Sequence, residues 1–95
     1  MDNKIKYGII GSGNAAWLHA KAVSSIPNAE LVAISDVILD KASKLADEFG
    51  VASVYADYHD ILARDDIQIV SVCTPSGTHS EIGSEAATSG KHVVT

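Results

Sequence analysis

The chain has 95 residues, a net charge of −5 and a hydrophobic fraction of 46%, which suits one small domain with a core of its own. Seven basic residues against twelve acidic ones, with no basic run, argue against nucleic acid as a partner, because a phosphate backbone needs clustered Lys and Arg. A single cysteine, Cys73, rules out an internal disulfide and fits a reducing compartment. No signal-peptide core and no apolar run near the ~20 residues that span a bilayer is found, so a cytoplasmic protein without a membrane partner is expected.

Taken in chain order, apolar runs of strand length alternate with segments of helical period. The first strand covers residues 4–10, with Ile5, Tyr7, Ile9 and Ile10 as β-formers, and stops at Gly11. A helix follows from about 15 to 25, with Ala15, Leu18, Ala22 and Ile26 recurring on one face. Pro27-Asn28 closes that unit, and a second strand runs over 30–35, ended by Asp36.

The second helix is placed at Leu39–Phe49 by the stripe Ala42, Leu45, Ala46 and Phe49, with Gly50 where a C′ glycine belongs. A short third strand, Ser53–Tyr55, leads to Asp57 as N-cap of a short helix through Ala63. Residues 67–73 are almost continuously apolar, as in a strand covered on both faces. After the turn Thr74-Pro75-Ser76-Gly77, Thr78 opens a helix with Glu81 three residues on as a capping box. That helix ends at Gly90, and a fifth strand covers 92–95.

Strand and helix thus alternate throughout, which predicts an α/β fold. Right-handed crossovers give a doubly wound parallel sheet of Rossmann type, with five strands in the order 3-2-1-4-5. The fifth strand is then an edge with no partner beyond it, open to pairing with a second copy. A chain stopping on such a strand reads as an incomplete domain, with a substrate domain absent.

Gly11-Ser12-Gly13-Asn14-Ala15-Ala16 reads G-x-G-x-x-A and lies between a strand and a helix, the context a dinucleotide-binding turn requires. Gly11 permits the tight turn, Gly13 lets the backbone approach a pyrophosphate, and Ala16 permits close helix–strand packing. The helix directs its first N–H groups and its positive dipole end at the phosphates. Asp36 stands 20 residues after Ala16, where a carboxylate accepts hydrogen bonds from ribose hydroxyls. A 2′-phosphate would meet a like charge there. Val37, Ile38 and Leu39 supply no Arg to offset it, although Lys41 could reach across. NAD is therefore expected as cofactor in preference to NADP. Thr74-Pro75 falls after the fourth strand, beside the first, at the topological switch point where ligands bind.

These residues resemble the glucose–fructose oxidoreductase/inositol dehydrogenase (Gfo/Idh/MocA) family. The opening Tyr7-Gly8-Ile9-Ile10 with the glycine turn and His19, the stretch Val32-Ala33-Ile34-Ser35-Asp36, and above all 70–79 with its Thr-Pro turn and His79, followed by Gly90-Lys91-His92-Val93-Val94, carry the likeness across essentially the whole chain. The resemblance implies a dehydrogenase that moves a hydride between a nicotinamide and a hydroxyl carbon of a sugar, cyclitol or related small molecule. It places Thr74, Pro75 and His79 on the nicotinamide-ribose side. It also puts the catalytic lysine in a Glu-Lys-Pro motif beyond Thr95, together with the domain that contacts a small-molecule substrate. The 95 residues alone are then expected to bind cofactor without turnover. Asn14 departs from the residue usual after the second glycine, and Ala16 replaces a frequent glycine.

Other residues read more plainly. His19 is a packed or surface histidine, and Trp17 either covers the cofactor or packs against a second domain. Cys73 is a small buried strand residue. His59 and His92 have no ligand-like partners, so no metal is expected, and Arg64-Asp65-Asp66 reads as a solvated loop. Two alternatives stand beside the enzyme reading: a non-catalytic NAD(H)-sensing module, and an isolated fold fragment that self-associates.

Overall fold

The computed structural model describes residues 4–74 and 76–94, with the side chains of Ser76, Gly77 and His79 excepted. Nine elements follow in order: β1 (Ile5–Ile10), α1 (Asn14–Ser24), β2 (Ala29–Ser35), α2 (Leu39–Phe49), β3 (Ser53–Tyr55), α3 (His59–Leu62), β4 (Ile69–Val72), α4 (Ser76–Thr88) and β5 (His92–Val94). The five strands form one sheet in the order β3-β2-β1-β4-β5, and every neighbouring pair is parallel. This is the doubly wound sheet expected from the alternation of elements. Thr95, expected in the fifth strand, lies outside the described residues.

Strand alternation sends consecutive side chains to opposite faces, which builds two cores. Ile9 and Ile34 meet Ala16, Ala20, Ala42 and Leu45 on the face covered by α1 and α2. Ile10, Ala33, Val70 and Val72 meet Ile61, Ile82 and Ala86 on the face covered by α3 and α4. Helix α2 ends as read, with Gly50 at φ +69° as a left-handed cap.

The structure corrects the buried face of α1. Its inward residues are Ala16, Ala20 and Val23, whereas Ala15 and Ala22 are exposed, Leu18 is 62% exposed and Ile26 45%. Both faces of this helix carry apolar residues at helical spacing. The sheet takes the alanine face because two small side chains let the helix lie close to β1 and β2.

Other boundaries move by smaller amounts. Helix α4 starts at Ser76, so Thr78 sits inside its first turn and not at the cap. Helix α3 begins at His59; Asp57, two residues ahead, still accepts the His59 backbone N–H at 2.9 Å. Strand β4 is Ile69–Val72, shorter than the apolar run suggests, and Cys73 falls just beyond it. Lys91, between α4 and β5, is only 8% exposed. Its Nζ donates to the carbonyls of Arg64 at 2.7 Å and Ile67 at 2.8 Å, tying the start of β5 to the turn before β4.

Candidate functional site

Four strands deliver their C-terminal ends to one place. Gly11 N–H donates to Ser35 O at 2.7 Å, Cys73 N–H to Ile10 O at 2.8 Å, and Asp36 N–H to Tyr55 O at 3.1 Å. These bonds carry the sheet ladder past the formal strand ends and hold the loops after β1, β2, β3 and β4 in register. Above them lies a cleft of about 860 Å³, lined by the glycine turn, Asp36 to Ile38, Lys41, Ala56 to Tyr58, Cys73 and Thr74.

The two glycines at the head of this cleft do different things. Gly11 has φ +103°, a conformation that side-chain-bearing residues rarely adopt. A Cβ there would stand 2.7 Å from the carbonyl oxygen of Cys73, so β1 and β4 approach closely only because the side chain is absent. Gly13 is the N-cap of α1 at φ −80° and ψ −163°, ordinary extended backbone. A Cβ on Gly13 would meet nothing within 4 Å; it would project into open space at the mouth of the helix. Gly13 thus leaves bare backbone open at the start of α1. The first turn, Asn14-Ala15-Ala16-Trp17, carries no acidic side chain to compete for the N-terminal amides.

Asp36 is held on two sides. Ser12 Oγ donates to Oδ2 at 2.5 Å, and the backbone N–H of Ile38 donates to Oδ1 at 2.8 Å. The Asp36 carboxylate therefore bridges the loops after β1 and β2. Lys41, the one basic residue lining the cleft among the described residues, stands on the first turn of α2. Val37 is 88% exposed and, with Ile38, forms an apolar rim beside the carboxylate.

Of the residues expected at a cofactor site, Gly11, Ser12, Gly13, Asn14, Ala15, Asp36 and Thr74 line the cleft. Ala16 is fully buried beneath it, in the packing role assigned to it. Pro75 and the side chain of His79 lie outside the described residues. Two hydroxyls at the cleft, Ser35 Oγ and Thr74 Oγ1, are buried with no hydrogen-bond partner among the described residues. Cys73 is half-buried, and burial pushes its thiol up to about 11, so it is not a thiolate nucleophile at neutral pH. Among the described residues no three His, Cys, Asp or Glu side chains are grouped to hold a metal ion, and no helix is long and apolar enough to cross a membrane.

Trp17 is not among the residues lining the cleft and is 36% exposed. Its Nε1 donates to Glu48 Oε2 at 2.5 Å, its ring meets Phe49 edge-on at 6.2 Å, and the Lys21 ammonium lies 5.1 Å from its ring centre. It staples α1 to the end of α2.

A second cluster escapes the sequence reading. His59 Nδ1 lies 2.7 Å from Asp57 Oδ1 and its Nε2 2.8 Å from Glu85 Oε2. Tyr58 stacks on the imidazole at 4.2 Å and donates to Glu85 Oε1 at 2.7 Å. The Asp57 carboxylate holds the His59 pKa above its ordinary value. The Tyr58 bond to Glu85 pushes the phenol up to about 12 and holds the Glu85 carboxyl low. This exposed bridge joins the loop before α3 to α4, and Asp57 and Tyr58 also line the cleft. Arg64, read as part of a solvated loop, pairs two of its nitrogens with Asp66 at 2.9 and 2.7 Å.

A family model described as an oxidoreductase family with an NAD-binding Rossmann fold matches residues 5–95. Myo-inositol 2-dehydrogenase of Thermotoga maritima is 35% identical over 89 residues, 94% of this chain and 27% of that protein. The solved structure of scyllo-inositol dehydrogenase from Lactobacillus casei, with bound NAD(H) and scyllo-inositol, superposes with a TM-score of 0.85 at 34% identity, over 95% of this chain and 27% of that one. A 3-ketoreductase from Actinomadura kijaniata, in complex with TDP-benzene and NADP, gives a TM-score of 0.87 at 35% identity, over 96% of this chain and 29% of that one. The chain thus spans between a quarter and a third of the length of these relatives.

Proposed function

This chain belongs to the GFO_IDH_MocA oxidoreductase family, as its NAD-binding Rossmann domain, and on that premise we propose that it holds NAD(H) for a dehydrogenase acting on a sugar, cyclitol or related hydroxy compound. The observation that carries the proposal is that the open backbone at Gly13 and the Asp36 carboxylate line one cleft. Residues Gly11 to Ala15 would receive the pyrophosphate on backbone amides and the dipole end of α1. Asp36 would accept from the adenosine ribose hydroxyls, and the exposed Val37–Ile38 rim offers an apolar surface beside them. Thr74, with Pro75 and His79 following it, is assigned to the nicotinamide side of the switch point. When bound, the cofactor supplies the hydride acceptor or donor.

Preference for NAD is part of the proposal. The Asp36 carboxylate opposes a 2′-phosphate, while Lys41 on the same wall is the residue through which NADP would gain a foothold. Relatives with each cofactor are known, one bound to NAD(H) and one to NADP. The named substrates of the relatives, inositols and a nucleotide sugar, motivate the substrate class. Residues 1–95 alone are assigned binding without turnover, because the resemblance puts the acid/base lysine and the substrate domain elsewhere in the protein. The lone cysteine supports a reducing compartment such as the cytoplasm.

Calorimetric titration with NAD⁺, NADH and NADP⁺ tests this reading. Saturable binding of NADH, tighter than that of NADP⁺, is the expected result. An absence of binding to all three by folded protein overturns it.

A further inference from the structure

We propose that Ser12 is a positioning residue that sets cofactor choice by locking the Asp36 carboxylate in the orientation that takes a ribose diol. The inference rests on the assignment of Asp36 to the adenosine ribose and adds to it a residue, a mechanism and a separate test.

A carboxylate offers about four lone-pair sites, two on each oxygen. In this cleft the protein uses one on each side: Ser12 Oγ on Oδ2 at 2.5 Å, and the Ile38 N–H on Oδ1 at 2.8 Å. One donor is a side-chain hydroxyl from the loop after β1, the other a backbone amide from the loop after β2. Two donors on different oxygens fix the carboxylate plane, and one acceptor site is left on each oxygen. Two adjacent acceptors in a fixed plane match the two neighbouring hydroxyls of an unmodified ribose.

The same lock opposes the phosphorylated cofactor. To admit a 2′-phosphate, the Asp36 side chain must turn away so that its charge does not face the phosphate. Rotation breaks the Ser12 bond. Lys41 already lines the cleft, so a released Asp36 leaves a cation free to meet the phosphate. Ser12 belongs to the glycine turn and Asp36 follows the end of β2, so this bond adds a side-chain link to the Gly11 N–H···Ser35 O bond between the two loops.

Ser12→Ala removes the donor and leaves the glycines and Asp36 in place. The measurement is the ratio of NADPH to NADH dissociation constants, by fluorescence titration of the folded protein, for Ser12→Ala, Ser12→Thr, Ser12→Cys, Asp36→Ala and the Ser12→Ala/Asp36→Ala pair. We expect Ser12→Ala to lower the ratio by about tenfold, the size of one hydrogen bond to a charged group. Ser12→Thr keeps a hydroxyl and should keep the ratio. Ser12→Cys, a near-isostere with a weak donor, should lower it and serves if the alanine variant does not fold. In the Asp36→Ala background the Ser12 change should have no further effect, because the residue acts only through that carboxylate. An unchanged ratio in Ser12→Ala or Ser12→Cys, or an equal effect with and without Asp36, overturns the positioning role while leaving NADH binding intact. Failure of the unaltered protein to bind NADH, or to favour it over NADPH, overturns the functional reading itself.

Discussion

The backbone of Gly11 lies against the carbonyl of Cys73 so closely that a methyl group on Gly11 would stand 2.7 Å from that oxygen. This contact couples the first strand's turn to the end of the fourth, and it shapes the base of the cleft. Gly13, two residues on, has no such neighbour. The two glycines of one motif should therefore separate in experiment. Gly11→Ala combines a disfavoured φ with a backbone clash and should cost about 3 kcal/mol of stability. Gly13→Ala should leave the thermal midpoint within error, while Gly13→Val should weaken NADH binding at least about tenfold. Thermal melts and NADH titrations on the three variants check this. An unaltered affinity in Gly13→Val would remove the basis for placing phosphates at this turn.

Asp36→Ala should weaken NADH by about tenfold or more through loss of charge-assisted hydrogen bonds. It should improve NADPH at the same time, since the opposing charge is gone and Lys41 remains. Parallel titrations with the two reduced cofactors read both effects. Equal weakening of NADH and NADPH would point to simple damage of the cleft.

The His59 bridge predicts a pH dependence with two limbs. The His59 pKa is raised by Asp57 first and Glu85 second, so its contribution is full below the ordinary value of 6.5 and is lost as pH rises through the elevated value. Asp57 and Glu85 are lowered, by the His59 backbone N–H and the Tyr58 hydroxyl respectively. Their contributions are full above the ordinary values of 3.8 and 4.5 and are lost as pH falls below them. The difference in thermal midpoint between the unaltered protein and His59→Gln should therefore be largest between about pH 4.5 and 6.5. The groups are exposed, so the difference should be modest and should shrink in high salt. A difference that is flat with pH would contradict the bridge.

Lys91→Met tests a buried ammonium that serves structure. The substitution keeps the apolar stem and leaves the Arg64 and Ile67 carbonyls without their donor. A loss of about 2 kcal/mol in denaturant unfolding is expected, in line with unsatisfied buried acceptors. A neutral result would mean that water replaces the amine at this site.

Much of the molecule was legible before the fold was known. Helix α2 and strand β3 have the bounds that their apolar stripe and turn residues predict, because their signals are local: an unambiguous stripe, a left-handed glycine at 50, and short spacing. The glycine turn and Asp36 were likewise readable, since the motif combines a strand, a helix and an acid at fixed spacing. The buried face of α1 is not legible where two apolar faces compete, nor are the partners of Trp17, because Glu48 and Phe49 lie more than thirty positions away. The His59 bridge is not legible in the sequence for the same reason: Asp57 is two residues off, but Glu85 is 26 residues away and reaches it only across α3 and α4.

Sequence alone determined the alternation of elements, the order of the strands and the type of turn at Gly11, because backbone preference and hydrophobic period act over a few residues. Tertiary structure alone decided which face of α1 is buried, that Ser12 grips Asp36, and that Asp57, His59, Glu85 and Tyr58 form one bridge. The Ser12–Asp36, Tyr58–Glu85 and His59–Glu85 contacts join residues 24 to 27 positions apart, and such separations close only when the parallel sheet sets successive loops and helices side by side.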